Sequence, residues 1–451
     1  VIGRGFAAEG FMMSDRAAAL IGAVPRTAPE AVGDALDTEP EVLIIGAGPV
    51  GLFAAILLRE KGIRVEIVDQ EERPAARSYA LALHPATLRL LAEVGIAADL
   101  LERAHRVDAL SFWSGRERQA ALDLSSSSPD WTCVAVLPQQ LLENALESRL
   151  AEAGGHVRWN HRVSDLHVGG GAASAAMDRV EKVERSAGAR VAVAESFIVR
   201  PELVLGADGH RSIVRKALRD SWIEISPPEL FAVFEVSIDG DPGTEARVVL
   251  DNGQSGVFWP LGRHRARWSF QIDEWEGFEE PRTKSRRFPQ VADEPFPYLV
   301  HDRLRELIAE RAPWFDLPLG EIIWSMAVRF EHRLAGRFGG GNAWLAGDAA
   351  HLAGPIGAQS MNLGLREAWE LARAFDWILR DDYPLTLLER YNTERRHEWR
   401  RLLGVLGQPH AGLTAPAWVK KNAARLISCI PATGDDLDRL LRQIGLDLAH
   451  R

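Results

Sequence analysis

The sequence predicts a mixed α/β architecture: a parallel sheet with helices on it, interrupted by an inserted antiparallel sheet and followed by a helical C-terminal tail. Three observations carry this. A strand–turn–helix–strand unit of about 30 residues begins at Glu41. Between about 221 and 275, Trp, Phe and Val alternate with charged residues, the texture of an antiparallel sheet. A second strand delivers its C-terminal end into a Gly/Pro loop and a long helix at 343–380. Composition sets the bounds. With 451 residues, 46% hydrophobic and 26% charged, the chain has the balance of a folded protein, and two or three domains are expected. There is no run of about 18 uncharged apolar residues, so no membrane span is expected. A net charge of −10 disfavours nucleic acid as a partner. Cys133 and Cys429 are the only cysteines, which excludes a disulfide scaffold, a multi-cysteine zinc site and a CxxC pair. They suffice for one disulfide, but two reduced thiols in a cytoplasmic protein are the expectation. Fourteen Trp against four Tyr point to broad apolar surfaces.

In chain order, residues 1–40 are Ala-rich and punctuated by Pro and Gly, without the layout of a secretory signal. They read as a mobile N-terminal extension, with Met12 or Met13 as an alternative start. Residues 41–220 form the first part of a nucleotide-binding domain. Glu41–Ile45 is a buried strand, the following helix runs to about Lys61, Gly62 stops it, and Ile63–Val68 is the next strand. Helices follow at 85–101 and 138–153. Alternation over 157–206 around a Gly/Ala-rich turn at 169–176 predicts hairpin strands, with Gly169–Gly171 a turn rather than a phosphate cradle. The inserted domain is 221–330. Within it 276–297 reads as a surface loop, its Arg282, Lys284, Arg286 and Arg287 solvated, and 301–312 and 321–330 read as a helix and a strand. Residues 331–383 return to the first domain, and 384–451 are C-terminal helices.

Three motifs carry chemistry. Gly46-x-Gly48-x-x-Gly51 joins a strand to a helix, and Asp69 ends the following strand. The first Gly permits a tight turn, the second lets backbone approach a pyrophosphate, and the third lets helix and strand pack closely. The helix N-terminus offers free N–H groups and partial positive charge to phosphates, and Asp69 offers acceptors to a ribose diol. This pattern selects a dinucleotide without separating NAD from FAD. Next, Leu205-Gly-Ala-Asp208-Gly209 delivers an Asp-Gly turn into a helix starting near Ser212. Last, a strand ends at Gly347-Asp348, and the loop Pro355-Ile-Gly357-Ala-Gln-Ser-Met361-Asn362 opens a long helix whose N-terminus can stabilise negative charge by about 0.3–2 kcal/mol.

In this order and spacing, over about 41–400, the sequence resembles the class A FAD-dependent monooxygenases with the para-hydroxybenzoate hydroxylase fold. The resemblance implies a Rossmann-like FAD-binding domain in which Gly46, Gly48, Gly51 and Asp69 hold the ADP half of FAD. It places Arg77 near the pyrophosphate and gives Gln139 a flavin contact. It puts Asp208 near both FAD and the incoming nicotinamide, and Gly347 and Asp348 at the ribityl side. Pro355, Gly357, Met361 and Asn362 line the isoalloxazine ring. It further implies that NADH or NADPH visits transiently and reduces FAD, and that O2 then forms a C4a-hydroperoxide which hydroxylates, or epoxidises, an aromatic or polycyclic small molecule. Such chemistry needs an enclosed apolar pocket. The 221–275 sheet is the expected lid, with Phe258, Trp259 and Trp324 as candidate pocket residues. Asp69 stands where the family commonly has Glu, and Gln359-Ser360 replaces the commoner Gln-Gly or Lys-Gly, which bears on loop flexibility. The stretch Ser255–Pro260 contains no Arg, so a benzoate substrate is not supported. His351 reads as a structural hydrogen-bonding residue; His84 has no assigned role, no proton-abstracting side chain is nominated, and no metal site is expected. Three competing readings are a flavin-dependent halogenase, whose WxWxIP sequence is absent, an FAD-dependent reductase without oxygen insertion, and a flavin-binding protein without turnover. Monomer and homodimer are both open.

Overall fold

A computed structural model describes residues 36–72, 82–126, 131–169, 172–185, 188–273, 299–407 and 409–448. Arg77, the basic cluster at 282–287 and nearly all of the N-terminal extension lie outside them. Described residues from Asp37 onward belong to one structural unit.

The first unit is as the glycine spacing predicts: β1 (Val42–Ile45), α1 (Pro49–Glu60) and β2 (Val65–Val68). All four residues of β1 are buried because the strand is central in a six-stranded sheet. Its neighbours are β2 on one side and β9 (Leu203–Gly206) on the other, both parallel to it. Beyond β9 lies β16 (Ala343–Leu345), also parallel, so the sheet is completed by residues 140 positions downstream. Register aligns Ile45 with Gly206 and Gly206 with Leu345. The three motifs therefore leave the carboxyl edge of three adjacent strands, where open α/β sheets bind ligands.

Three sequence expectations shift. The helix read at 85–101 is two helices, α2 (Pro85–Glu93) and α3 (Ala97–Arg103), because Gly95 takes φ +80° and its N–H turns back to the Ala92 carbonyl. The helix at 138–153 holds as α4 (Gln139–Glu152). The hairpin read at 157–206 is a three-stranded antiparallel sheet of His161–His167, Ser174–Arg185 and Gly188–Val199, with the strand resuming inside the segment read as turn.

The third shift concerns the inserted sheet. Its strands β10 (Trp222–Ile238), β11 (Glu245–Asp251), β12 (Gln254–Gly262), β13 (Arg265–Ile272) and β14 (Leu319–Ala335) belong to an eight-stranded sheet. That sheet also takes β3 (Ala109–Ser114) and β4 (Glu117–Asp123) at one edge and β17 (His351–Leu352) at the other. It thus crosses both boundaries drawn at 220/221 and 330/331, because β3 pairs parallel with β11 and β14 runs on to pair with β17.

One face of this sheet packs on α6 (His301–Arg311). Phe234, Phe258, Trp268 and Phe270 bury against Leu304, Leu307 and Ile308, with Trp113 and Trp314 at the margin. Trp268 stacks on Phe270 with centroids 4.8 Å apart, and Phe258 lies 5.1 Å from Trp268. Each such ring contributes about 1.5–3 kcal/mol through burial. Three of the fourteen tryptophans are accounted for here by core packing. The opposite face meets the C-terminal tail, where Trp418 of α9 (Ala417–Ile427) reaches Phe112 at 6.3 Å. The long helix α7 (Gln359–Arg380) lies on α1, so closely that a Cβ at Gly364 would stand 2.8 Å from Val50 Cγ2.

Candidate functional site

Two of the three fingerprint glycines are required by the protein itself. Gly46 has φ +105°, and a Cβ there would overlap the Ala207 carbonyl; a Cβ at Gly51 would overlap the carbonyl of Gly46. Gly48 differs: a Cβ at this position meets nothing within 4 Å. It is the N-cap of α1, extended, with Pro49 next and no side chain capping the helix. The open side of Gly48 faces a helix end whose first-turn amides have no side-chain acceptor, the requirement for a pyrophosphate. Asp69 holds this loop in place: Oδ2 accepts from the Ala47 N–H at 2.7 Å and Oδ1 from the Glu71 N–H at 2.9 Å. Each oxygen keeps a further lone pair for a ribose hydroxyl.

The second motif is locked to the third. Asp208 Oδ2 accepts from the Ile213 N–H at 2.6 Å, and burial raises the Asp208 carboxyl above its ordinary value. Ser212 caps the short helix that follows by accepting from the Arg215 N–H at 3.0 Å. Arg215, buried and stacked 3.8 Å over Trp222, donates to the carbonyls of Ala349 at 2.7 Å and His210 at 2.8 Å. A cation thus bridges the Asp-Gly segment to the Gly-Asp turn. Its place in the motif was visible in sequence, its partners were not.

Among residues 342–352, Asp348 alone is exposed. The turn that presents it is anchored from behind. Gly347, at φ +63°, donates its N–H to Glu367 Oε2 at 2.8 Å. Glu367 is fully buried and also accepts from His351 Nε2 and from Trp399 Nε1, both at 2.8 Å. His351 stacks on Trp399 at 3.8 Å, a structural role as expected. Sequence reasoning missed Glu367 and Trp399. The available signal was an acid on the apolar stripe Leu363, Gly364, Ala368, Leu371 of α7.

The loop Pro355–Asn362 is clamped on two sides. Asn362 Oδ1 accepts from the His84 N–H at 2.8 Å and Thr87 Oγ1 at 2.7 Å, while Nδ2 donates to the carbonyls of Ala82 at 2.8 Å and Ala358 at 2.6 Å. These four hydrogen bonds use the whole side-chain amide, and through them Asn362 fixes the loop. His84 Nε2 donates to the Gly357 carbonyl at 3.0 Å, and complete burial pushes its imidazole down to about 4, so it is neutral. On the other side Gly357 abuts the Ser428 carbonyl, 2.5 Å from where a Cβ would stand. Gln359 Nε2 donates to the carbonyls of Ile427 at 3.2 Å and Ile430 at 3.3 Å. Gln359 is therefore where the tail grips the loop. Met361 is half-buried in the first turn of α7. Gln139 opens α4 and donates to Glu143 Oε1 at 2.6 Å.

Against this loop lies a cavity of about 290 Å³, walled by Gly354, Pro355 and Gln359, by Leu250 and Ser255 of the large sheet, by Glu229 and His332, and by Arg425, Ser428 and Cys429 of the tail. The three aromatic residues expected in the pocket do not line it. Phe258 points to the α6 face, since strand alternation puts it opposite Ser255 and Val257. Trp259 shares the Ser255 face but lies about 13 Å further along the strand. Trp324 donates from Nε1 to Glu235 at 2.9 Å and carries Arg267 at 4.8 Å over its ring, part of a buried polar cluster with Arg265. The tail supplies the missing wall. Cys429 is a packing residue there, its thiol pushed by burial up to about 12.

A family model described as an FAD binding domain matches residues 39–404. Over 366 residues the chain is 28% identical to the 6-methylpretetramide 4-monooxygenase of Streptomyces rimosus, covering 81% of this chain and 60% of that protein. Over 386 residues it is 28% identical to a flavin-dependent monooxygenase of Mycobacteroides abscessus, covering 83% and 75%. The chain thus spans three-fifths of the length of the first relative. In three dimensions it is similar to the p-nitrophenol 4-monooxygenase of Pseudomonas putida, with TM-score 0.64, 21% identity, and 89% and 93% of the two chains covered. At that identity the likeness speaks for the fold.

Proposed function

The chain belongs to the FAD-binding-domain family, and from that premise we propose that it is an FAD-dependent monooxygenase. Its substrates are an aromatic or polycyclic small molecule, O2 and a visiting NADH or NADPH, and its product is hydroxylated or epoxidised. The observation that carries this reading is the cavity laid directly against the Pro355–Asn362 loop, a loop that follows the strand Ala343–Leu345 of the dinucleotide sheet.

Each residue set has a task. Gly48 and the N-terminus of α1 take the pyrophosphate, Asp69 the ribose, and Asp348 the ribityl hydroxyls. FAD, when bound, supplies electron storage and oxygen activation. The protein supplies position and exclusion of water: the double clamp on the loop holds the ring edge still, and Leu250, Pro355 and Ile356 give the cavity apolar wall. A nicotinamide-dependent reaction suits the cytoplasm, and no helix among the described residues is long and apolar enough to cross a membrane.

The test is an absorbance spectrum of purified protein with added FAD, anaerobic reduction by NADPH and by NADH, and oxygen uptake with an aromatic panel. Flavin uptake followed by incorporation of labelled oxygen into a ring supports the proposal. A colourless protein that refuses FAD refutes it, and reduction with no oxygen incorporated into any panel member makes it a reductase.

A further inference from the structure

We propose that Glu229 and His332 form a hydroxyl-recognition pair in this cavity, so that the substrate is a ring bearing a hydroxyl group held between them. The inference rests on the monooxygenase reading for its substrate frame and on the following geometry for its chemistry.

Both residues line the cavity beside Gly354 of the ring loop. They come from neighbouring strands, Glu229 from β10 and His332 from β14, where Ser226 pairs with His332. His332 Nε2 and Glu229 Oε2 are 3.7 Å apart. That is too long for a hydrogen bond. An oxygen about 2.8 Å from both atoms fits between them at an angle of about 83°, and a small widening of the pair relaxes that angle. Gly354 borders that spot: a Cβ at Gly354 would stand 3.2 Å from Nε2, a tight approach, and 3.7 Å from Oε2, an ordinary contact.

The donor and acceptor roles follow from burial. His332 Nδ1 is buried without a hydrogen-bond partner. An orphaned buried N–H is the rarer state, so the lone pair is assigned to Nδ1 and the proton to Nε2. Nε2–H therefore donates toward the cavity, and the Glu229 carboxylate accepts. A hydroxyl bridges them by donating its O–H to Oε2 and accepting from Nε2–H at its oxygen. Most of the other polar groups in the wall are engaged elsewhere: Arg425 Nη2 donates to the carbonyls of Gly253 and Gln254, Ser255 Oγ to Gln271, Ser428 Oγ to the Arg425 carbonyl and Gln359 Nε2 to the carbonyls of Ile427 and Ile430, while the Cys429 thiol is protonated.

The experiment measures binding of three matched pairs to the FAD-loaded protein: phenol and anisole, 1-naphthol and 1-methoxynaphthalene, and 1,8-dihydroxyanthraquinone and its dimethyl ether. Wild type is expected to bind the hydroxyl form of at least one ring about tenfold more tightly than its ether, the worth of one charge-assisted hydrogen bond. Glu229→Leu, His332→Phe and Gly354→Ala are each expected to bring that ratio within twofold, with FAD content measured on the same samples as the check of folding. No hydroxyl preference in wild type for any pair, or a preference retained in FAD-loaded variants, overturns the proposal. Oxygen uptake with NAD(P)H is read separately. Uptake without hydroxyl preference removes the pair and leaves the monooxygenase; preference without uptake leaves the pair and removes the monooxygenase.

Discussion

Replacing Gly48 by Val separates cofactor binding from folding. At this position a Cβ meets no protein atom within 4 Å, so the side chain enters open space. Gly48 is an N-cap, and losing a favourable cap residue costs about 1 kcal/mol. Stability without FAD is therefore expected to fall by about 1 kcal/mol or less. The space the valine fills is the open side of the fingerprint turn, where a pyrophosphate approaches backbone amides. Displacing it by the width of an isopropyl group breaks one or two charge-assisted hydrogen bonds of roughly 1.5–3 kcal/mol each. The expected loss of FAD affinity is about 10- to 10⁴-fold. The assay is titration of protein into FAD with flavin fluorescence as readout, paired with thermal unfolding in the absence of FAD. Gly51→Ala is the control, since its Cβ overlaps the Gly46 carbonyl and the turn itself must give way, so it is expected to lower unfolding temperature and FAD binding together. A Gly48→Val protein that binds FAD within threefold of wild type refutes the assignment of this turn; one that fails to fold refutes the claim that its open side is free of protein contacts.

Asp348→Ala is expected to weaken FAD binding at least tenfold with less than about 1 kcal/mol lost in FAD-free denaturation, because the side chain is exposed on an otherwise buried turn. Glu367→Ala leaves the Gly347 N–H, His351 and Trp399 without their buried acceptor and is expected to destabilise by about 3–5 kcal/mol in urea denaturation, a value under 1 kcal/mol counting against the anchor. His84 makes stability depend on pH. Its native imidazole stays neutral down to about 4, whereas in the unfolded chain it takes a proton near 6.5, so between these values the unfolded state binds more protons. The contribution is present above pH 6.5 and is lost as pH falls toward 4, up to about 3 kcal/mol. His84→Gln is expected to flatten that part of the urea-midpoint profile, and an unchanged slope would place the titration elsewhere.

The structure also explains why Phe258, Trp259 and Trp324 stand apart from the cavity against the Pro355–Asn362 loop. Composition registers an excess of Trp, but which side of a strand a ring occupies depends on register and on what lies across the sheet. Phe258 is paired with Trp268 and covered by α6, so it is core. Trp324 meets a buried carboxylate, Glu235, ninety positions away, and becomes part of a polar cluster. Neither partner is identifiable from the local sequence around these residues. Asn362 is a related case. Its place at the head of α7 is legible in the sequence, whereas the side-chain hydrogen bonds that tie it to His84, Thr87 and Ala82 are not.

The dinucleotide unit was legible because its requirements are local. A positive φ at Gly46, close packing at Gly51 and an uncapped helix at Gly48 are properties of six consecutive residues, and each restricts residue type directly. The same holds for the strand-delivered Asp208 and Asp348, and together these motifs led to the family. The cavity is the opposite kind of object. Its polar wall is assembled from Glu229, His332 and Arg425, whose chain separations exceed ninety residues, and it closes where Gln359 donates to the tail carbonyls of Ile427 and Ile430 and Gly357 packs against that of Ser428. No periodicity encodes such a meeting. It follows from the eight-stranded sheet reaching back to β3 at one edge and out to β17 at the other, which depends on hydrogen bonds between distant strands rather than on the preferences of any one segment.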